Sequence, residues 1–302
     1  MVCGKRADAA GRHGCRVTVL EADSPPATDW IGRTETRAGC LTAELAGMLA
    51  SCLCHPAAPM ADHRVGAPMP ALWHWAAFPE FLPVDALGAD GHPPLGGFLP
   101  PLPYARRMWA GGDVRLSGQL TIGEPLERSS EILSVTEKDG GAGPMVFVSV
   151  RHRTAGAAGQ IDEVQDIVYL DIPPEFRPPK QRPLPEALAF DEAVPMSEIR
   201  LFRYSAATFN SHRIHYDLRF AREVEKYPAL VVHGPMQATL LIEAGQRHVG
   251  APATRFRYRG VHPMFHDHAL RLTGWQDGSA LALGTAHPDG FLGQTATMEW
   301  MT

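Results

Sequence analysis

A cluster of prolines near the middle of the chain divides it into two parts with the same order of elements. The cluster covers residues 173–185, and prolines with basic residues between them are typical of a stiff, extended linker. We therefore place a linker at 173–195, a first domain at 28–172 and a second domain at 196–302. Residues 1–27 lack the glycine fingerprint of a nucleotide-binding unit and are predicted to be a disordered N-terminal extension.

Both parts contain one helix with a clear apolar pattern. In the second part, the segment Pro235–Arg247 is apolar over most of its circumference, which is typical of a helix enclosed by other elements. In the first part, apolar residues recur at helical spacing and form a single stripe. The residues of that stripe are Leu41, Leu45, Met48, Leu49 and Cys52.

Segments typical of β-strands follow the helical pattern in each part. In the first part they are Val114–Leu120, Leu126–Thr136, Met145–Thr154 and Asp162–Leu170. In the second part they are Arg255–Tyr258, Ala269–Gln276, Leu281–Ala286 and Thr295–Trp300. The sequence therefore predicts an α+β fold of two antiparallel sheets, each wrapped round a central helix, lying edge to edge. The irregular stretch 56–103 is predicted to lie as a wall over the core.

Composition excludes several functional classes. The 302 residues carry a net charge of −5, which disfavours a nucleic-acid partner because such partners need a basic face. No apolar run approaches the roughly 20 residues of a membrane helix, so no membrane partner is expected. The five cysteines are an odd number without a C-x-x-C pair, and no secretory signal is evident. These features predict reduced thiols and a cytoplasmic protein.

The densest group of acid–base side chains lies in the segment 204–234. Six such residues occur within eight positions, and an apolar run at 229–232 then leads into His233-Gly234-Pro235. A solvated loop would more often carry glycine, serine and lysine, so this mixture indicates a pocket wall. The six residues are Asn210, His212, Arg213, His215, Tyr216 and Asp217.

A metal site is the first alternative for these histidines. The spacing His212-x-x-His215 could supply zinc ligands, and so could a second group further along the chain. Neither group has the H-E-x-x-H pattern, and the second is typical of a turn between strands, so we predict no metal. The second group consists of His262, His266, Asp267 and His268.

The pattern N-x-H-R-I-H-Y-D followed by V-H-G resembles the MaoC-like double hot-dog hydratases and dehydratases. The resemblance extends over residues 28–302 and includes Leu72-Trp73-His74-Trp75 and the segment 96–112. It implies a double hot-dog fold and a hydro-lyase that interconverts an α,β-unsaturated acyl-CoA and its 3-hydroxyacyl-CoA. It also implies an acyl-CoA or acyl-carrier thioester as substrate, with mesaconyl-C4-CoA or itaconyl-CoA as candidates. No cofactor is expected, since CoA is part of the substrate, and association into a homo-oligomer is implied.

The resemblance assigns roles to three catalytic residues. In the family motif D-x-N-P-[LIV]-H, the acid and the histidine hold and activate water, and His215 and Asn210 occupy their positions. Gly234 lies where the family uses a backbone N–H at a helix start to hold the thioester oxygen. Asn210 departs from the family because an amide cannot act as a base. Either His215 transfers the proton while Asn210 orients the water, or a carboxylate from elsewhere assists. Asp217 is the nearest carboxylate in sequence.

Four further residues are candidates for substrate binding. Arg213 could pair with a free carboxylate on a dicarboxylic acyl chain, although it could equally be a surface or ion-paired arginine. Arg106 and Arg107 could contact the phosphates of CoA, or simply be exposed, and His212 is a weaker candidate. Two other functions share the fold: a hot-dog thioesterase, and a binding module that has lost its catalytic acid.

Overall fold

The computed structural model describes residues 26–140 and 143–301, and these residues form strands and helices in two successive halves. Residues 1–25 of the predicted extension lie outside the described part. The first half contains β1 (Thr34–Gly39), α1 (Ala43–Leu53), β2 (Arg106–Gly118), β3 (Leu126–Gly140), β4 (Gly143–Ala155) and β5 (Gly159–Leu170). The second half contains β6 (Phe190–Val194), α2 (Glu198–Ala207), α3 (Leu218–Glu223), α4 (Gly234–Val249), β7 (Ala253–Gly260), β8 (Leu270–Asp277), β9 (Ala280–Ala286) and β10 (Leu292–Trp300).

The two halves join edge to edge through strands β2 and β7. The order of strands in the sheet is β1-β3-β4-β5-β2-β7-β10-β9-β8-β6. The pairing of β2 with β7 is antiparallel and runs from Gly111 opposite Arg259 to Arg115 opposite Arg255. This confirms the predicted side-by-side arrangement, with one difference: hydrogen bonds across the junction merge the two sheets into one.

Helix α4 is the central helix of the second half, as its apolar circumference predicts. Pro235 lies in its first turn, and Gly250 ends it in the left-handed conformation with φ of 72°. The helix packs against β7, β8, β9 and β10. Its approach to the sheet is close, because a Cβ on Gly245 would lie 2.9 Å from the Sδ atom of Met298.

The helix of the first half is shorter and packs differently. Thr42 caps α1 by accepting a hydrogen bond from the Leu45 N–H, and the helix lies against α2 and the 3-10 turn Trp73–Ala76. That turn belongs to the predicted wall. Its His74 and Trp75 rings bind the buried Glu163 carboxylate of β5 at 3.1 and 2.8 Å. Among the described residues, no helix has the length and apolar character needed to cross a membrane.

Part of the predicted linker is a strand. Phe190–Val194 forms β6 and pairs with β8, and Val194 is fully buried. The proline cluster ends at Pro185, so the residues after it have the N–H groups that a strand requires. Within the cluster, the backbone also binds the second half, since the Arg182 carbonyl accepts from the Leu292 N–H at 2.8 Å. The division of the chain into domains otherwise stays a prediction.

Candidate active site

His215 lies at the end of a 3-10 turn, Arg213–His215, and is held in one tautomer. Its Nδ1 donates a hydrogen bond of 2.7 Å to the Val231 carbonyl, and the Val231 N–H in turn binds the Ile214 carbonyl at 3.0 Å. A carbonyl only accepts, so the ring proton lies on Nδ1. The Nε2 atom therefore keeps its lone pair, which can accept a proton or a hydrogen bond.

The His233 ring fixes the plane of the His215 ring. The two rings stack with centroids 3.6 Å apart and an angle of 18° between their planes. His233 is fully buried, its Nε2 lies 2.8 Å from the Ser205 hydroxyl, and Tyr204 packs edge-on at 4.8 Å. The sequence pattern singled out His233 only as the residue before the helix, whereas the structure makes it the support of the His215 ring.

Gly234 follows His233 directly and begins helix α4. In the described residues, no acceptor is found for the Gly234 N–H, and Pro235 next to it has none to donate. A Cβ on Gly234 would come no closer than 3.9 Å to its nearest neighbour, the Trp109 carbonyl. Packing therefore does not demand a glycine, and the missing side chain leaves space before a helix start that favours negative charge.

The histidines of the site are held in the neutral form. Burial lowers the pKa of His215 to about 4, with a smaller opposing effect from its bond to Val231. Burial is also the main cause that lowers the pKa of His212 and of His233, and the neighbouring imidazoles lower both further. All three rings are thus uncharged near pH 7.

The buried environment of His215 predicts that activity persists to a lower pH than a free histidine would allow. A histidine that is to hold water through Nε2 must be neutral, and the folded pKa of His215, about 4, lies below the value of about 6.5 in a free histidine. Activity should therefore persist as the pH falls through 6.5 and be lost only towards pH 4. The pH profile of kcat/KM, recorded on enzyme shown to stay folded, measures this. An acid limb centred near 6.5 would contradict a buried, neutral His215.

Asn210 and Asp217 both have structural partners. The Asn210 side-chain oxygen accepts from the His212 N–H at 2.9 Å and so shapes the start of the 3-10 turn. Asp217 caps α3 by accepting from the Phe220 N–H at 3.0 Å, and it also binds Arg213 at 2.7 Å. Asp217 is therefore not available as the assisting carboxylate, which corrects that alternative.

Arg213 was predicted either to bind a substrate carboxylate or to be a surface or ion-paired arginine, and the structure shows an ion pair. Two of its nitrogens bind Asp217, a third donates to the Ala89 carbonyl at 3.0 Å, and its plane lies over the Phe220 ring. With its donors engaged in this way, the guanidinium is not placed to bind a substrate carboxylate. Through these bonds, Arg213 connects the 3-10 turn to the first half of the chain.

The predicted pair of phosphate-binding arginines separates into two different environments. Arg106 is buried and binds Glu225 through Nε at 2.6 Å, so it is removed from the predicted phosphate contacts. Arg107 is half-buried and donates to the Pro93 carbonyl at 3.2 Å. Pro93 directly follows His92, so this contact places Arg107 near the His92 backbone. The charge of Arg107 is also a further cause that lowers the pKa of His212, after burial and the neighbouring imidazoles.

A loop that lies against this site was not among the functional segments predicted from the sequence. In residues 88–92, His92 donates from Nδ1 to the Asp90 carboxylate at 2.7 Å, and its ring lies 4.1 Å from the His212 ring. The His212 ring in turn lies 5.4 Å from that of His215. The only signal in the sequence is Asp90-Gly91-His92 within a long stretch rich in glycine and proline.

The residues suggested as metal ligands do not converge as the sequence grouped them. His262 lies 2.9 Å from the Pro263 carbonyl, His266 pairs with Glu198, and His268 with Asp267. In the described part, the group whose ligand atoms lie within 4.8 Å of one another is Asp90, His92 and His212. The 2.7 Å between His92 and Asp90 is a hydrogen-bond distance, so these two groups already satisfy each other.

A basic groove lies close to Gly234. Cβ atoms built on Gly234 and Gly260 would have the carbonyls of Trp109 and Ala110, adjacent residues of β2, as their nearest neighbours. The groove is lined by residues 179–183 and 259–261 and includes Lys180, Arg182 and Arg259. All three cations are exposed, and in the described residues none has a carboxylate within salt-bridge distance.

Comparison with known proteins identifies the family to which this site belongs. The family of hydroxyacyl-thioester dehydratase type 2 matches residues 72–266, which is more than half of the chain. The chain belongs to this family. It is also 40% identical to mesaconyl-C4-CoA hydratase of Chloroflexus aurantiacus over 273 residues, which cover 89% of this chain and 96% of that protein. These findings confirm the resemblance and the class of hydratase and dehydratase, a hydro-lyase.

Solved structures confirm the fold of this hydroxyacyl-thioester dehydratase family member. A MaoC-like dehydratase superposes with a TM-score of 0.66 at 14% identity, covering 89% of this chain and 98% of that one. A Mycobacterium tuberculosis protein described as a double hot-dog fold gives a TM-score of 0.52 at 11% identity, covering 90% and 96%. The predicted double hot-dog is therefore correct.

Proposed function

We propose that this protein adds water across the double bond of a short α,β-unsaturated acyl-CoA, and removes it in the reverse direction. One observation carries the proposal. A histidine with a free Nε2 lone pair, His215, is stacked on the residue that precedes the open Gly234 N–H. We infer that the two groups flank one space at the start of α4, where a thioester can lie between an acceptor for water and a donor for its oxygen.

The two groups match the two demands of the reaction. Attack of water at Cβ is favoured when an acceptor polarises the water, which Nε2 of His215 does. As the bond forms, negative charge develops on the thioester oxygen, and the Gly234 N–H at the positive end of α4 stabilises it. A single donor of this kind typically contributes about 3 kcal/mol to the transition state. The proposed reaction uses no metal or redox cofactor, since CoA enters with the substrate.

Mesaconyl-C4-CoA is the substrate we propose, on the strength of the Chloroflexus relative and of Arg107. In this thioester the free carboxylate is carried by the β-carbon, the same carbon that water attacks. The residue that binds this carboxylate must therefore lie beside the groups that hold the water. Arg107 donates to the carbonyl of Pro93, the residue after His92, and is the candidate for that role, whereas Arg213 is bound to Asp217.

Replacing Arg107 should affect dicarboxylic substrates selectively. We expect Arg107→Gln to lower kcat/KM for mesaconyl-C4-CoA about 10- to 100-fold, the effect of losing a hydrogen bond between charged groups. With crotonyl-CoA, which has no carboxylate on the β-carbon, the change should stay within about threefold, because the lost bond does not exist there. Equal losses with both substrates would show that Arg107 serves the site in another way.

The phosphates of CoA are assigned to the basic groove in place of Arg106. Its three cations, Lys180, Arg182 and Arg259, have no carboxylate partner in the described residues and lie near Gly234, where the thioester would emerge. Unpaired exposed cations attract phosphate without the cost of breaking an ion pair. Charge in this groove thus supports CoA, or the phosphopantetheine of a carrier, as the thioester partner.

One assay tests the proposed function. The protein is mixed with crotonyl-CoA or mesaconyl-C4-CoA, the absorbance of the enoyl thioester is followed, and a thiol-trapping reagent is added in parallel. We expect the absorbance to fall while no thiol appears, because hydration leaves the thioester intact. Release of free CoA thiol would assign the protein to the thioesterases instead. A constant absorbance with every enoyl-CoA, short or long, would remove the proposal.

A further inference from the structure

The proposed hydratase site lacks one group that its chemistry needs. The family motif uses an acid beside the histidine, and here Asn210 occupies that position with its oxygen bound to the His212 N–H. An amide cannot take a proton, and Asp217 is held by Arg213 and the start of α3. His215 is the remaining base of the motif, but burial lowers its pKa to about 4, so a second group is needed to carry the proton between water and Cα.

The loop 88–92 of the first half is built onto this segment. The Ser211 hydroxyl donates to the Gly91 carbonyl at 2.5 Å, and the Arg213 N–H donates to the Asp90 carbonyl at 2.9 Å. Gly91 has φ of 88°, and a Cβ there would lie 1.9 Å from the Ser211 carbonyl oxygen. Only glycine permits so close an approach, so the loop is fitted to the catalytic turn.

The loop 88–92 holds the His92 imidazole at the site in a fixed orientation. The Asp90 carboxylate accepts from both the backbone N–H and the Nδ1 of His92, at 3.0 and 2.7 Å. This pairing fixes the His92 tautomer and leaves the Nε2 lone pair free. The His92 side chain is 21% exposed, whereas His233 is fully buried, so a substrate can reach it.

The charges around His92 suit it to carry a proton. Asp90 binds its Nδ1, the His212 ring lies 4.1 Å away, and Arg107 donates to the carbonyl of the next residue, Pro93. Burial lowers its pKa and the bond to Asp90 opposes this effect, so the ring is neutral near pH 7. Once protonated, it is stabilised by an adjacent carboxylate, whereas protonated His215 would have only the Val231 carbonyl.

We propose that His92, oriented by Asp90, is the second catalytic histidine of the site and does the work of the acid that Asn210 replaces. This inference rests on the proposed hydration function. His92 is the group that exchanges a proton with the substrate, His215 holds the water, and Asp90 is a positioning residue. The contribution comes from the first half of the chain, so the site is shared between the two halves.

In the proposed step, His92 passes one proton from water to Cα. Water donates one hydrogen bond to Nε2 of His215 and one to Nε2 of His92. As oxygen bonds to Cβ, the O–H bond facing His92 breaks, its proton passes to Nε2, and the π electrons move to the thioester oxygen. When the carbonyl re-forms, Cα takes the proton from His92. Both histidines end the cycle neutral, and dehydration follows the same path in reverse.

The decisive experiment compares His92→Ala and His92→Gln with wild type, which must itself turn over crotonyl-CoA. We expect kcat to fall about 10²- to 10⁴-fold in both variants with little change in KM, as is typical when a proton-transfer group is removed. Thermal unfolding of His92→Gln, whose amide can keep a bond to Asp90, establishes that the variant is folded. Wild-type activity in His92→Gln would overturn this inference while leaving the hydration function in place.

A second substitution distinguishes catalysis from a structural role. In the His92→Ala background, Asn210→Asp returns a carboxylate to the family position and should raise kcat at least about tenfold. Asp90→Asn should lower kcat and change the pH profile, since it alters the tautomer of His92. Absence of any rescue by Asn210→Asp would overturn the proposal. So would loss of wild-type activity on chelation and its return with zinc, since the three residues would then be metal ligands.

Discussion

His215→Ala is expected to lower kcat for hydration about 10²- to 10⁴-fold while the protein stays folded. The variant removes the Nε2 lone pair that holds water and leaves a space beside the His233 ring, on which His215 is stacked at 3.6 Å. Because the Gly234 N–H remains, binding of the thioester should be retained, and the loss should appear in kcat more than in KM.

Steady-state kinetics with crotonyl-CoA, beside circular dichroism, measure this effect. His268→Ala is the matched control, since His268 is a half-exposed histidine of the second half that pairs with Asp267 and packs against the His287 ring. It should retain full activity. Added imidazole should restore part of the activity of His215→Ala by occupying the vacated space, which a purely structural defect would not allow. Full turnover in His215→Ala would contradict the assignment of the site.

Glu225→Gln is expected to destabilise the protein by about 3–5 kcal/mol. Glu225 is 1% exposed and binds the Arg106 guanidinium, which also donates to the Glu225 carbonyl and lies over the Tyr227 ring. Neutralising the carboxylate leaves a buried arginine without its counter-charge, and that uncompensated charge is the source of the loss. The pair connects the start of β2 to the segment that leads into His233.

Denaturant unfolding gives the free energy of unfolding for this comparison. Glu223→Gln is the matched control, because Glu223 pairs with Arg219 on the surface, and it should change stability by less than about 1 kcal/mol. Replacing both buried partners, as Arg106→Met with Glu225→Leu, should recover much of the loss, since neither charge then remains. If Glu225→Gln were as stable as wild type, the buried pair would not be a structural anchor.

Local patterns predicted much of the fold. The alternation of Val146, Val148 and Val150 indicates a strand with one buried face, and all three are buried in β4. Apolar residues lie around most of the circumference of Pro235–Arg247. This pattern alone predicts that helix α4 is enclosed by other elements. The motif around His215 and Gly234 is likewise contained in a short stretch, so its residues could be named before their positions were known.

What the sequence did not predict depends on partners far apart along the chain. Arg106 meets Glu225 across 119 residues, and Ser211 meets Gly91 across 120, so no local pattern marks either contact. The Asp90–His92 pair is local, but its place beside His212 depends on the fold of a long irregular segment. Such positions follow from tertiary packing, which propensity and periodicity do not encode.

Isotope labelling in solvent tests the central claim most directly. The enzyme is incubated with an enoyl-CoA in water containing both ¹⁸O and deuterium, and the thioester product is examined by mass spectrometry. Hydration at the shared site predicts one ¹⁸O on Cβ and one deuterium on Cα of an intact 3-hydroxyacyl-CoA, formed by wild type and greatly reduced in His215→Ala. Label in a free carboxylate with release of CoA, or equal labelling by His215→Ala, would contradict the account.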